Sequence, residues 1–319
     1  MRLKNLVAFV MVFGTVLTGC SAAPEDGGAE GSGYTDSEDE LTSSDYIQIR
    51  GERFSTTRTR LDLEQMNLTD EEIAPLRYMT NLEQLNLRWN RQISDITPLA
   101  GLTNLQILLL NGNQISDIAP LAGLTNLTSL RLDHNQISDL TPLAELTNLD
   151  NLGLSANQIS DIIPLAGLTN LTRLSLDDNQ ISDWSPLVEL TNLTELFLTN
   201  NQISDISSLA GLTNLWGLWL QVNQISDITP LAGLTNLTVL SLEYNQISDL
   251  APLAGLTNLW RLWLNNNQIS DISPLAGLTN LATLTNFEEL DLMAELDLTG
   301  NQITDWSPVE HIERVLGRP

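Results

Sequence analysis

The sequence predicts an α/β solenoid of 22-residue coils, with a parallel β-sheet along its concave face and short 3₁₀ turns along the convex one. A phrase of the form NLxxLxLxxNQISDIxPLAGLT returns almost unchanged from Asn81 to Thr279. Its Asn recurs every 22 positions, at Asn113, Asn135, Asn157, Asn179, Asn201, Asn223, Asn245 and Asn267. Self-similarity at such a period marks units that acquire an interior only by stacking on one another.

Within one copy the apolar positions are Leu105, Leu108, Leu110, Ile115, Ile118, Leu121 and Leu124. Leu108-x-Leu110 alternates with period two, which reads as a short strand with one buried face. The rest is too short and too broken for a standard helix. Pro98, Pro120, Pro142, Pro164, Pro186, Pro230, Pro252 and Pro274 mostly follow Thr, Ser or Ala. This spacing predicts a cap at the residue before proline, a first-turn proline and one tight turn stopped by Gly.

The Asn closing each strand has two donors and an acceptor to place. Left unsatisfied inside, it would cost roughly 1–3 kcal/mol. Its recurrence predicts a structural ladder of Asn90, Asn113, Asn135, Asn157, Asn179, Asn201, Asn223, Asn245, Asn267 and Asn301, in preference to a polar binding column.

LxxLxLxxN followed by NQISDIxPLAGLTNL resembles the leucine-rich repeats of the internalin family of bacterial surface proteins, over roughly Leu61 to Ile312. The resemblance implies a curved solenoid whose concave sheet holds a host protein. The repeat alone specifies a scaffold and not its partner.

The chain of 319 residues divides into five stretches. Residues 1–19 carry Arg2 and Lys4, an apolar run and then LTG before Cys20, resembling a bacterial lipoprotein signal peptide. Cys20 is the only cysteine, so a monomer has no disulfide and no thiolate metal site. Lipidated there, the chain would hold at least two acyl chains, enough for lasting anchorage. Residues 20–45 include eight acidic and no basic residues and read as a flexible tether. Residues 46–80 form an N-terminal cap and degenerate first repeat, with Tyr46 to Phe54 as an edge strand. Repeats occupy residues 81–305, with one inserted residue at Arg91 and an irregular stretch at 281–293 that reads as a loop or doubled strand. Residues 306–319 form a C-terminal cap, with a short closing helix from Trp306 to Leu316.

The formal charge is −26. Removing the signal, with its two cations and no acids, gives −26 − 2 = −28. Such an imbalance argues against nucleic acid and against direct adsorption to anionic lipid. No nucleophile, acid-base pair or phosphate cradle is visible, so an enzyme is not expected, nor a cofactor or resident metal. The Asp of each SDI, from Asp95 to Asp305, makes an acidic column, but one carboxylate per coil falls short of the oxygens calcium needs. Hydrogen bonding to the turn explains it better. The NLT triplets at Asn126, Asn170, Asn192 and Asn236 are products of the phrase and not glycosylation signals.

Information about function lies where copies differ. The central outward column of the strands reads Asn86, Leu109, Arg131, Gly153, Ser175, Phe197, Trp219, Ser241, Trp263, Asp297. Trp184 and Trp306 fill the Ile slot of SDI and belong to the core. Trp216, Trp219, Trp260 and Trp263 do not. Strands ~4.8 Å apart put Trp219 and Trp263 ~10 Å apart, with Ser241 between them and room for about one inserted side chain. Trp, Tyr and Arg dominate interface energetics. The candidate ligand-binding residues are therefore Phe197, Trp216, Trp219, Val239, Ser241, Tyr244, Trp260, Arg261 and Trp263, with stacking that merely stiffens the sheet as the competing explanation. The expected function is capture of a protein by a monomer anchored at the bacterial cell surface, outside the cytoplasm. A partner within the bacterial envelope, or a carbohydrate or glycopeptide stacked on the tryptophans, are the alternatives.

Overall fold

The computed structural model describes residues 45–282 and 296–319. The signal sequence, Cys20, the acidic tether up to residue 44 and most of the irregular stretch lie outside the described residues. In each coil the Leu-x-Leu pair forms a short strand that meets its counterpart in the next copy. The strands are β3 (Arg60–Asp62), β4 (Gln84–Asn86), β5 (Ile107–Leu109), β6 (Ser129–Arg131), β7 (Asn151–Gly153), β8 (Arg173–Ser175), β9 (Glu195–Phe197), β10 (Gly217–Trp219), β11 (Val239–Ser241), β12 (Arg261–Trp263), β13 (Leu296–Asp297) and β14 (Val315–Leu316). They make one twelve-stranded parallel sheet in chain order.

The register never slips: Leu108 pairs with Leu130, Leu130 with Leu152 and Leu262 with Leu296. A one-residue shift would turn every leucine to solvent, so burial fixes the register. The leucines form one core cluster from Ile47 to Ile312 that includes Trp184, while Trp306 packs against it half-buried. Each fully buried leucine contributes roughly 1.5–3 kcal/mol relative to exposure.

The ladder closes the strand end of each coil. Asn135 Nδ2 donates to Leu132 O at 2.9 Å and, one coil back, to Leu110 O at 3.1 Å. Its Oδ1 accepts from Ile115 N at 3.0 Å. The pattern repeats to Asn301, whose Oδ1 accepts from Ile269 N at 3.1 Å across the irregular stretch. The inserted Arg91 breaks one rung. Ile93 N turns to Asn90 O, and the buried Oδ1 of Asn113 has no partner.

A second row of asparagines runs on the other side. Asn104 Nδ2 donates to Thr80 O at 2.9 Å and Asn126 to Thr103 O at 2.8 Å, and the row continues to Asn280 on Thr257 O. It contains Asn126, Asn170, Asn192 and Asn236, the NLT asparagines of the repeat phrase. The repeating NL showed where to look, but its bonding was missed because its partner lies 23 or 24 residues back, a coil away, and nothing local identifies it.

The turns are capped differently from the sequence expectation. No side chain at the helix-flanking residue bonds the turn. Instead Asp95 Oδ1 accepts from Thr97 N at 2.8 Å, Asp139 from Thr141 N at 2.8 Å and Asp305 from Ser307 N at 3.0 Å. The i→i+2 reach of aspartate closes an Asx turn that the residue before proline cannot close on itself. Ser207–Leu209 forms the same turn without proline, held by Asp205 on Ser207 N at 2.8 Å.

Both ends depart from expectation. Tyr46 to Phe54 is not one edge strand: β1 (Tyr46–Ile49) and β2 (Glu52–Ser55) form a separate antiparallel hairpin. It turns at Arg50 and Gly51, with φ of 51° and 84°. Two adjacent left-handed residues suit the twist of a two-residue hairpin. Ile47, Ile49 and Phe54 join the core. The first return is a helix, α1 (Asp70–Ile73), started by a reciprocal Thr69–Glu72 capping box. At the far end the closing helix is absent. Ser307–Val309 repeats the 3₁₀ turn, and β14 pairs with β13. The free backbone edge of β13 supplies bonds that a helix would forgo.

Candidate functional site

Parallel register carries each outward residue into a column across the coils. Asn86, Leu109, Arg131, Gly153, Ser175, Phe197, Trp219, Ser241, Trp263 and Asp297 are successive Cα partners.

Over the earlier coils this face is polar and internally paired. Arg88 bonds Glu64 at 2.6 Å, Arg131 Nε bonds Asp133 at 2.7 Å, and Arg173 bonds Glu195 at 2.5 Å. Arg131 fits because β7 ends in glycine: a Cβ on Gly153 would sit 2.2 Å from Arg131 Nε.

From β9 onward the face turns apolar. Phe197 and Trp219 stack with ring centroids 4.1 Å apart and planes 7° from parallel. Trp216 meets Trp219 edge-on at 6.4 Å and 82°. Arg173 covers the Phe197 ring at 4.8 Å. Trp219 can lie back on its own strand only because position 217 has no side chain, since a Cβ there would be 2.6 Å from the indole. The sequence signal was a glycine inside a strand, but its role emerges only with the ring in place.

The candidate residues thus fall into two groups. Phe197 and Val239 are buried, at 4% and 5% exposure, yet stand outside the core cluster. They are outward residues covered by their neighbours, so Phe197 is a support under the patch and not a contact surface. Ser241 is also buried. Trp219, Trp260, Arg261 and Trp263 are half-buried, and Arg261 lies 4.3 Å over the Trp260 ring. Trp216 and Tyr244 are exposed at 40% and 57%.

Val222, 43% exposed beside them, was missed. It belongs to a column one residue before each ladder Asn: Trp89, His134, Ala156, Asp178, Asn200, Val222, Tyr244 and Asn266, all with φ between 51° and 58°. The left-handed turn points these side chains outward along the rim, at a steric cost that only glycine escapes. Gly112 and Gly300 occupy the same column. Trp89 was missed for the same reason. Its ring spans the space a Cβ on Gly112 would need and tilts toward His134 at 5.7 Å.

Two carboxylates on this face are raised above the ordinary range. Burial pushes Asp177 up to about 6, against hydrogen bonds from Thr199 and Ser155. Burial also raises Glu243, which is bonded to Ser241. The turn aspartates move the other way. The Thr141 hydroxyl and amide lower Asp139, and the Ser185 amide lowers Asp183. Among the described residues no three His, Cys, Asp or Glu gather as a metal site, and no helix is long and apolar enough to cross a membrane.

A polar groove of about 770 Å³ runs beside the first coils, lined by Thr57, Asn81, Asn104, Gln106, Asn126 and Thr128 among others. Asn81, Asn104 and Asn126 already bond backbone carbonyls there.

The family model described as leucine rich repeats in two copies matches residues 103–145, 147–189, 191–233, 217–255 and 235–277. A single leucine rich repeat model matches 78–96 and 293–305. No curated protein matches the chain. Among solved structures, an internalin (InlF) from Listeria monocytogenes is 37% identical, with a TM-score of 0.75 over 83% of this chain and 76% of that one. Internalin C2 (InlC2) of the same species is 41% identical, with a TM-score of 0.56 over 62% of this chain and 86% of that one. The plant peptide hormone receptor RGFR1, in complex with RGF2, is 28% identical, with a TM-score of 0.63 over 76% of this chain and 40% of that one.

Proposed function

Because the chain belongs to the leucine-rich repeat family, as an internalin-like member, we propose that it is a lipid-anchored bacterial surface protein that binds a protein ligand through its concave sheet. The observation that carries this reading is the apolar patch across the coils of β10 to β12. Trp216, Val222 and Tyr244 are exposed at 40%, 43% and 57%, with half-buried Trp219 on the coil of the first two and half-buried Trp263 one coil beyond Tyr244. A chain of formal charge −26 has no solubility reason to keep such a surface, and contiguous apolar patches of this kind mark interaction sites. Similarity to two internalins and to a receptor in complex with RGF2 supports a protein as the ligand. The LTGC sequence ending at Cys20 supports the anchor.

The test compares the wild-type chain with a Trp219→Ala/Trp263→Ala variant, each displayed on beads against host-cell membranes and against bacterial envelope extract. A partner that cross-links to the first and not to the second, from either source, supports the reading. A partner retained equally by both overturns it. Quenching of tryptophan fluorescence by soluble glycans would transfer the patch to carbohydrate. For the anchor, Cys20→Ser should release the chain from membranes and abolish incorporation of labelled palmitate.

A further inference from the structure

The tryptophans of the outward face repeat with twice the period of the coil. Trp219, Ser241 and Trp263 are successive Cα partners. One column away, Thr238 N donates to Trp216 O at 2.9 Å and Trp260 N to Thr238 O at 3.0 Å, so Trp216, Thr238 and Trp260 follow one another in the same way. The coils of β10 and β12 thus each raise two indoles, and the coil between them offers only the small Thr238 and Ser241 in those columns. At ~4.8 Å per strand, the two tryptophan pairs spring from backbones ~9.6 Å apart. The gap that the spacing left for one inserted side chain is closed. Ser241 is 2% and Val239 5% exposed, and Gln221 and Glu243 hold the Ser241 hydroxyl. A ligand therefore lies across the tryptophans and inserts nothing between Trp219 and Trp263.

That spacing selects a ligand repeat. A polyproline II helix has three residues per turn and a 3.1 Å rise, so it shows the same face every ~9.3 Å. A β-strand does so every ~6.6 Å, and an α-helix every ~5.4 Å, two turns of which overshoot at ~10.8 Å. Hydrogen bonding selects the same ligand. An indole N–H donates and never accepts. Proline has no N–H to leave unpaired against it, and the carbonyls of a polyproline II helix have no internal partner. Charge disfavours an acidic segment: the chain carries −26, Asp297 follows Trp263 in its column, and Arg173 and Arg261 already lie over the Phe197 and Trp260 rings. We propose that Trp216, Trp219, Trp260 and Trp263 receive a proline-rich segment of the protein ligand, free of acidic residues and in the polyproline II conformation. It runs across the coils with one turn on each tryptophan pair. The assignment deepens the protein-binding reading and rests on it.

The test titrates the full chain with acetylated, amidated oligoprolines of three, six and nine residues, following the indole N–H signals. Three residues make one turn and meet one tryptophan pair, whereas six make two turns and meet both. Affinity should rise about fivefold or more from three to six residues, the scale of one further aromatic contact, and change little from six to nine. Trp260→Ala/Trp263→Ala should abolish that step while the three-residue peptide still binds. Trp260→Phe/Trp263→Phe keeps the ring faces and should preserve the step. No saturable binding, a rise that continues evenly with length, or a step that survives the alanine variant overturns the proposal. Tighter binding of an alanine-based helical peptide or of a soluble glycan also overturns it and gives the patch to that ligand. If the proposal fails while Trp219→Ala/Trp263→Ala still abolishes partner capture, the docking face stands and only the proline-rich ligand falls. If capture survives the double variant, the face itself is wrong.

Discussion

The sheet face over β4 to β8 and the same face over β9 to β12 share a backbone, a register and a ladder, yet present opposite surfaces. In the first region side chains satisfy one another: Arg131 lies over Gly153 to reach Asp133, and Asn86 bonds Glu64. In the second, rings stack on rings and three large apolar side chains remain open to water. A solenoid separates scaffold from surface. Inward positions must repeat because each coil is its neighbour's interior, whereas outward positions are free to vary.

If both regions share one scaffold, ladder deletions should cost the same in each. Asn157→Ala in the first and Asn245→Ala in the second each leave the donor of an Ile without its partner and remove one of the two asparagine donors on each of two Leu carbonyls. Each should destabilise by about 2–4 kcal/mol, measured by urea unfolding. A large inequality would break the comparison. Asn113→Ala should cost about 1 kcal/mol less, since its Oδ1 has no bond to lose.

Glycine replacement separates the surfaces. Gly217→Ala pushes on the Trp219 ring and should unstack it from Phe197, lowering partner affinity about fivefold for the roughly 1 kcal/mol of an aromatic pair. Gly153→Ala meets the flexible Arg131 side chain and the Asp133 carboxylate instead, and should leave that affinity unchanged. Equal losses in a binding assay would show that both regions touch the partner.

Acidity tests the buried carboxylates against the exposed caps. Asp177, raised to about 6, binds its proton more tightly folded than unfolded, so it adds stability as pH falls from 7 toward 4. The lowered turn aspartates, such as Asp139 and Asp183, contribute above their unfolded value near 4 and lose that contribution as pH falls through their folded values. Thermal stability should therefore rise from pH 7 to about 5 and fall below about 4. Asp177→Asn should flatten the upper limb. A stability that falls monotonically from pH 7 would refute the assignment. The smallest effect is expected at the turn that lacks proline. Ser208→Pro should stabilise by about 0.4–1 kcal/mol by restricting the unfolded chain, and a loss would mean the turn there differs from its neighbours.

Much of this was legible in the sequence because the period does the geometric work. Once 22 residues make a coil, equivalent positions must share a column, so the leucine core, the ladder Asn, the strand in Leu296-x-Leu298 and the inward Trp184 follow from spacing alone. Cap chemistry was only partly legible. The SDI aspartate was correctly given the turn backbone, but proline's neighbour was also credited with a cap that its side chain does not make. The hairpin at Tyr46 and the final strand at Val315 were missed because they lie outside the repeat. There no neighbouring copy shows what the backbone pairs with.

The sequence by itself determined the coil, its stacking and which residues face outward, since burying leucine leaves one register. Only the tertiary structure decided what the outward residues do to one another. Phe197 lies buried beneath Trp219, which needs the empty position at Gly217, and Glu243 bonds Ser241. Those outcomes depend on rotamers chosen jointly by side chains 22 residues apart, and no pattern of residue types encodes a joint choice of that kind.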